Sequence, residues 1–364
     1  MKLIRTLGLG LLLAVFALFM SLLFMGQYKL TSATFEDFTT QNNITSEVFI
    51  KDLKNSSVDK EFSTPFYLAN SIAKAVESAN TYHKKNKEWA KVIWIKPHSL
   101  AYQLVKSSGT GIVVQNKLKF WFLSFGLAIL GALLFMLPAI NLKGPPGIKN
   151  NHIFHSSATN RGWIAWFVFA FLILFYLVLY FRPSYMINWI YTVDPISESL
   201  SGNPASQWFL YGFLYCVIMS TMAVRMYIKY RHNNYQILRT TSVLFFQIVF
   251  AFLIPEILVR FEKPWYDFKN AFPLDYDFFF RWNLNELLEN GGFGLFILVW
   301  GVLLTLVVVP VMVYFFGKRW YCSWVCGCGG LAETLGDPYR QLSSKSLFSW
   351  KVERWLVHGV LVFA

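Results

Sequence analysis

Three of the chain's four thiols fall close together, at Cys322, Cys326 and Cys328, in the run KRWYCSWVCGCGG. Thiolates at short spacing ligate iron–sulfur clusters, usually four to a cluster. If the preceding helix continues, Cys322 and Cys326 lie at i and i+4 and share one face. Gly327, Gly329 and Gly330 would then let the chain turn tightly and aim backbone amides at sulfur. Lys318, Arg319 and Arg340 stand ready to offset the negative charge of a thiolate-bound cluster. Other chemistries fit less well. Buried inert thiols are common but do not come as triplets. Structural zinc favours C-x2-C with a second pair or histidines. A disulfide oxidoreductase calls for C-x2-C on an oxidising side. The radical-SAM pattern is C-x3-C-x2-C, whereas this run is C-x3-C-x-C. The three cysteines are therefore candidate ligands of a 4Fe-4S cluster, with a ligand set short of four.

Other polar residues carry weaker signals. Glu256 follows Pro255 near the end of an apolar run, with Gln247 deeper in the same run. A membrane carboxylate is costly and could relay protons, or simply reach the interface. His358 could ligate haem or touch quinone, but a single intramembrane histidine more often serves as an interhelical hydrogen-bond partner. His152 and His155 form H-x2-H in a basic loop and read as solvated. Cys216 sits in the middle of an apolar run and reads as packing.

The elements that must position these residues are membrane helices. Hydrophobic residues make up 55% of the 364, and charged residues only 15%, well below the ~25% of a soluble domain. A soluble enzyme, a disordered tail and a disulfide-stapled module are all excluded. The net charge of +13 does not form a stripe, so no nucleic-acid partner is expected. Apolar runs long enough to span a bilayer occur at 4–25, 120–140, 163–181, 208–228, 241–259 and 293–316. A seventh begins near Val352 and the chain stops inside it at Ala364, which reads as a fragment of a longer protein. The first run lacks a cleavage site and reads as an uncleaved anchor over 1–26.

Lysine and arginine in the short loops set the orientation. Lys2 and Arg5, then Lys143, Lys149 and Arg161, then Lys229, Arg231 and Arg239, then Lys318 to Lys351 fall on the cytoplasmic side. The loops with Asp194 and Glu198, and with Asp267, Asp275, Asp277, Glu286 and Glu289, fall outside. The aromatic stretch 264–282 is expected along the outer membrane boundary. Residues 27–119 form an extracytoplasmic domain, with a helix over Pro65–Lys85 and strands at Lys91–Lys96 and Gly111–Val114. The expected fold is an all-α polytopic membrane protein of six to seven transmembrane helices, with a small α+β extracytoplasmic domain inserted after the first. Residues 317–351 form a cytoplasmic cysteine segment, and 352–364 start the seventh helix.

The run WYCSWVCGCGG at the end of the sixth span resembles the C-x3-C-P element of bacterial membrane-bound polyferredoxins. That group includes the quinol-oxidising membrane ferredoxin of periplasmic nitrate reductase, the nitrous-oxide-respiration regulator and the cytochrome-oxidase accessory ferredoxin. The likeness covers Lys318 to about Leu331. Cys322 and Cys326 match the element, Gly327 replaces its proline, and Cys328 is extra. The resemblance implies a bacterial inner-membrane iron–sulfur protein that moves electrons between a membrane donor, such as quinol, and a redox partner protein, rather than a stand-alone enzyme. The alternative it implies is an accessory or regulatory protein for maturation of a respiratory metalloenzyme. A flavin is not expected, because Ser108-Gly-Thr-Gly does not match the attachment motif of the nitrous-oxide regulator.

Overall fold

The computed structural model describes residues 2–143, 162–270, 272, 275–317, 319–337 and 344–363. Lys149, His152, His155 and Arg161, together with Lys318 and Arg340, lie outside the described residues. The fold is mostly helical, with one two-stranded sheet among the described residues. Six helices are long and apolar enough to cross a membrane: Lys2–Ser21, Lys117–Pro138, Trp163–Phe181, Gln207–Lys229, Asn234–Arg260 and Gly291–Phe316. Each overlaps an expected span. In hydrocarbon the backbone must satisfy its own hydrogen bonds, and a continuous helix does this.

The fifth and sixth spans contain π-helical turns, at Phe246–Leu253 and Leu304–Val308. Each lies just before a proline, Pro255 or Pro310. Proline removes an N–H and clashes with the carbonyl four residues back, so the ladder must shift there. The π turn of the fifth span carries Gln247 and Phe252, which reach the site described below.

The amino-terminal segment packs helices Ser32–Gln41, Glu47–Ser56, Pro65–Lys85 and Pro97–Ser107 around buried Phe35, Phe49, Leu53, Leu68, Ile72, Leu100 and Leu104. Thr31 and Ser46 cap two of the helices through their hydroxyls, and Pro65 and Pro97 begin the other two, where a missing N–H costs nothing. The strands expected at Lys91–Lys96 and Gly111–Val114 are absent. Lys91 ends a 3-10 turn, and Ile112–Gln115 is a helical turn. Ile93 instead exchanges hydrogen bonds with the Asn80 side chain, at 2.8 and 2.9 Å. An amide side chain thus replaces the neighbouring strand that an extended segment would need. The only sheet described is Tyr28–Lys29 against Glu61–Phe62, antiparallel.

The segment after the third span is not a surface loop. Residues Ile187–Ser201 form a helix wedged between the amino-terminal segment and the bundle. Tyr28 donates to Asn188 at 2.5 Å, Trp189 to the Phe19 carbonyl at 2.5 Å, and Tyr191 to the Lys106 carbonyl at 2.6 Å. Buried Asp194 pairs with Lys117 at 2.7 Å and accepts from the Ala205 amide at 2.8 Å. One continuous core therefore runs from Leu22 through the amino-terminal helices to Leu210. The bundle end that meets this segment is the domain end; the opposite end, with Lys229 and Arg231, is the basic end. The helix Leu347–Phe363 starts before Val352. Its described side chains are almost all exposed, and it falls outside the six helices of membrane length.

Candidate iron–sulfur centre and redox cavity

The sixth span stops at Phe316, because Gly317 adopts a left-handed φ of 92°, which glycine alone takes without strain. The chain then folds back. Trp320–Trp324 is a short helix carrying Cys322, Cys326 caps the next helix, and Cys328 lies in the first turn of that helix, Gly327–Thr334. Cys322 and Cys326 therefore belong to different elements and do not share a helical face; the break at Gly317 and the turn at Val325 separate them. Trp320, Trp324 and Val325 pack against Val309, Met312 and Val313 of the sixth span, which anchors the returning segment.

The returning segment is not confined to the basic end. Gln247 donates to the Val325 carbonyl at 2.5 Å, and Tyr215 donates to the Gly327 carbonyl at 3.1 Å. Gln247 lies thirteen residues from either end of the fifth span, about 20 Å along the helix from each. The Val325–Gly327 backbone thus reaches mid-bundle depth along the fifth span, with Cys326 half-buried and Cys322 and Cys328 exposed. The glycines are needed for this close approach more than for turning. A Cβ on Gly329 would lie 1.6 Å from the Cys322 carbonyl oxygen, and one on Gly327 would lie 2.9 Å from both Gln247 Oε1 and Tyr215 Oη. The same crowding disfavours proline at 327, since its ring would enter that space.

Ion pairs hold the helix Gly327–Thr334 against the fourth and fifth spans. Buried Asp337 accepts from Lys229 at 2.7 Å, Arg225 at 3.0 Å and Tyr230 at 3.1 Å. Glu333 pairs with Arg239 at 2.9 Å. Burial alone would raise the Asp337 carboxyl, but the Lys229 and Arg225 contacts outweigh it and hold it below its ordinary range. Lys229 and Arg239, which read from the sequence as orientation signals, also pin the cysteine helix. Arg319 is exposed.

Part of the aromatic stretch 264–282 reaches inward: Phe268, Lys269 and Phe272 contact the sixth span and the returning cysteine segment. Trp300 donates to the Phe268 carbonyl at 2.9 Å, Thr305 accepts from the Phe272 amide at 3.2 Å, and Tyr321 donates to the Lys269 carbonyl at 2.5 Å. Thr305 is fourteen residues into the sixth span, about 21 Å along it. Phe268 packs against Phe250 and Phe296 and Phe278 is buried, while Trp265, Tyr276, Phe280 and Trp282 remain exposed.

The two descending segments help line a half-open cavity of about 810 Å³. Cys326, Cys328 and Leu331 line one end, and Ser206, Trp208, Glu256 and Trp265 line the domain end. Tyr211, Tyr215, Cys216, Gln247 and Phe252 lie between, with Asp267, Lys269 and Asn270 on the wall. Glu256 and Trp265 face the same end of the cavity. Burial and the adjacent Cys326 push the Cys328 thiol up, with Lys269 opposing. Burial pushes the Asp267 carboxyl up as well, against the pull of Lys269, whose Nζ lies 2.5 Å away.

Cys326 and Cys328 come together, and the Gly329 backbone packs on Cys322. Glu256 and Cys216, weak candidates in the sequence, both line the cavity. His358 is exposed on the final helix. Lys269, Asp267 and Tyr215 carry no recognisable motif; only the burial of an acidic loop would have pointed to them. A 4Fe-4S cluster takes thiolate ligands, and the donor chemistry of Cys322, Cys326 and Cys328 fits one. Among the described residues, no three His, Cys, Asp or Glu side chains are gathered as a metal site.

The amino-terminal segment contains a second arrangement that local sequence does not reveal. His83 contacts Ser46 Oγ through Nε2 at 2.7 Å and Glu88 through Nδ1 at 2.8 Å. The order is that of a hydrolase triad, but Ser46 is fully buried and spends its oxygen accepting from the Phe49 amide. It is a structural clamp on the start of a helix.

No curated protein and no solved structure matches the chain. A family model for a 4Fe-4S binding domain matches residues 294–352, from the sixth span through all three clustered cysteines to the start of the final helix. The chain thus carries a 4Fe-4S binding domain within a protein that has six helices of membrane length.

Proposed function

We propose that this protein is a membrane-bound electron carrier that oxidises a quinol and passes the electrons, through a 4Fe-4S cluster held by Cys322, Cys326 and Cys328, to a redox partner protein. The observation that carries this reading is the single cavity with Cys326 and Cys328 at one end and Glu256 at the other. A quinol headgroup is a flat ring with a hydroxyl at each end. It suits a mainly apolar slot with a few polar groups at fixed points. Trp208, Phe252 and Trp265 offer ring faces, and Glu256 can accept a proton. Oxidation of one quinol to quinone releases two electrons and two protons. The bound cluster would supply a one-electron acceptor. The chain's own residues orient the ring, exclude bulk water and take the protons. The ligand set would be completed from beyond these three thiols.

The orientation proposed with this function puts the basic end in the bacterial cytoplasm. A cysteine introduced at Ser199, which is exposed at the domain end, should then react with an impermeant thiol reagent added outside intact cells. The function is tested on full-length protein purified without oxygen. Iron and acid-labile sulfide should be present, and Cys322→Ser, Cys326→Ser and Cys328→Ser should each lower the iron content, while Cys216→Ser should leave it intact. Zinc in place of iron would overturn the reading.

A further inference from the structure

A second cavity of about 310 Å³ adjoins the first. The two share a wall made of Trp265, Asp267 and Asn270. On its far side the second cavity is lined by Asp275 and Asp277 from the same loop and by Glu286 from the helix Arg281–Glu289. Asp267 is buried, with 8% of its surface exposed, and it is the one carboxylate common to both cavities. A buried carboxylate between two separate spaces needs a reason, because a well-packed apolar residue would separate them at lower cost.

We propose that Asp267 is a proton-relay residue: it takes protons released by quinol in the larger cavity and hands them to Asp275 and Asp277 in the smaller one. This rests on the quinol reading above and adds the route. The two electrons leave one at a time toward the cysteine end. The two protons leave the other way, through Glu256 and Asp267, so the charges separate without crossing. Lys269 opposes the burial that raises Asp267 and so favours release of its proton onward.

The groups facing this route are consistent with it. Asp275 faces Asp277, Asp267 and Tyr266 from its own loop, and Glu286 from the following helix, while the sixth span contributes apolar Ile297. Burial first, then the neighbouring Asp277, pushes Asp275 up to about 6. A carboxyl in that range both accepts and releases protons near neutral pH.

The test uses anaerobic full-length protein in lipid vesicles, with a short-chain quinol as donor and bleaching of the cluster's visible absorption as the readout. Asp267→Asn and Asp275→Asn should each slow quinol-driven reduction at least about tenfold. The quinol concentration for half-maximal rate, the iron content and the rate of reduction by dithionite should not change. The wild-type rate should fall as pH drops through about 6, and Asp275→Asn should remove that dependence. Because Asp267→Asn also unbalances Lys269, Asp275→Asn is the cleaner variant, and Asp267→Glu should restore much of the rate. Wild-type speed in both Asn variants would overturn the relay and leave the quinol reading standing. Failure of quinol to reduce the wild-type protein, with dithionite still effective, would overturn both.

Discussion

The amino-terminal helices and the cysteine end bury polar groups to opposite purposes. In the former, most buried polar groups close on a partner, with Thr64 Oγ1 and Tyr102 Oη the exceptions. Ser46, His83 and Glu88 form a chain of hydrogen bonds, Asn80 brackets Ile93, and Asp194 takes Lys117 and the Ala205 amide. The space between is filled with Phe, Leu and Ile. At the cysteine end, two chain segments descend into the bundle and do not fill it. Thiols, carboxylates and a lysine are left lining open volume. The difference separates polarity that stabilises from polarity kept available for chemistry. Saturated pairs in a dense core specify a fold, whereas buried groups beside a cavity are costly unless a ligand or reaction uses them.

The comparison can be broken most sharply at Asp337, which anchors the cysteine helix. Asp337→Ala removes the buried carboxylate that Lys229 and Arg225 share, and loss of one partner of a buried pair costs about 3–5 kcal/mol. The cysteine helix should undock and iron content should collapse. The sign of the pH effect follows from the lowered carboxyl. Its contribution is complete above the ordinary value of 3.8 and is lost as pH falls below that toward the folded value. Iron retention should therefore hold from neutral pH down to about 4 and fail beyond it. Retention of full iron by Asp337→Ala would mean the anchor is unnecessary.

Gly329→Ala is next. The added Cβ would meet the Cys322 carbonyl, and overpacking costs about 1–3 kcal/mol. Iron content should fall in Gly329→Ala while the six spans remain helical by circular dichroism. An unchanged iron content would show that Cys322 and the cysteine helix need not touch.

The smallest effect should come from the saturated region. His83→Leu removes two hydrogen bonds and leaves the Ser46 hydroxyl short of a partner, a loss of about 1–3 kcal/mol. The melting temperature should drop while iron per protein stays constant. Iron loss at that distance would join the two regions into one functional unit and sharpen the comparison in the other direction.

The apolar spans were legible because 3.6-residue helices in lipid need only length and hydropathy. The cysteine triplet was legible because thiol spacing is a local pattern. The segment KVIWIK read as a strand from its β-branched residues, but strand formation needs a neighbour, and Asn80 supplied the hydrogen bonds instead. The stretch 264–282 read as interfacial from its tryptophans and tyrosines; the inward reach of Phe268 was decided by packing on Phe250, Phe296 and Trp300. Ile187–Ser201 read as a loop because its acidic residues suggested solvent, whereas Asp194 is buried against two lysines.

What the sequence determined by itself is the membrane solvent, the number of apolar helices and the thiols available for iron, since each depends on residue type and short-range spacing. Tertiary structure alone decided how deep those thiols lie, which carboxylates stand near them and that a cavity joins them. Those features rest on pairs such as Gln247 with Val325, Tyr215 with Gly327, and Lys229 with Asp337. The partners are separated by tens to more than a hundred residues, so no local periodicity encodes their meeting. They meet because the turn at Gly317, with its left-handed φ, sends the chain back into the bundle.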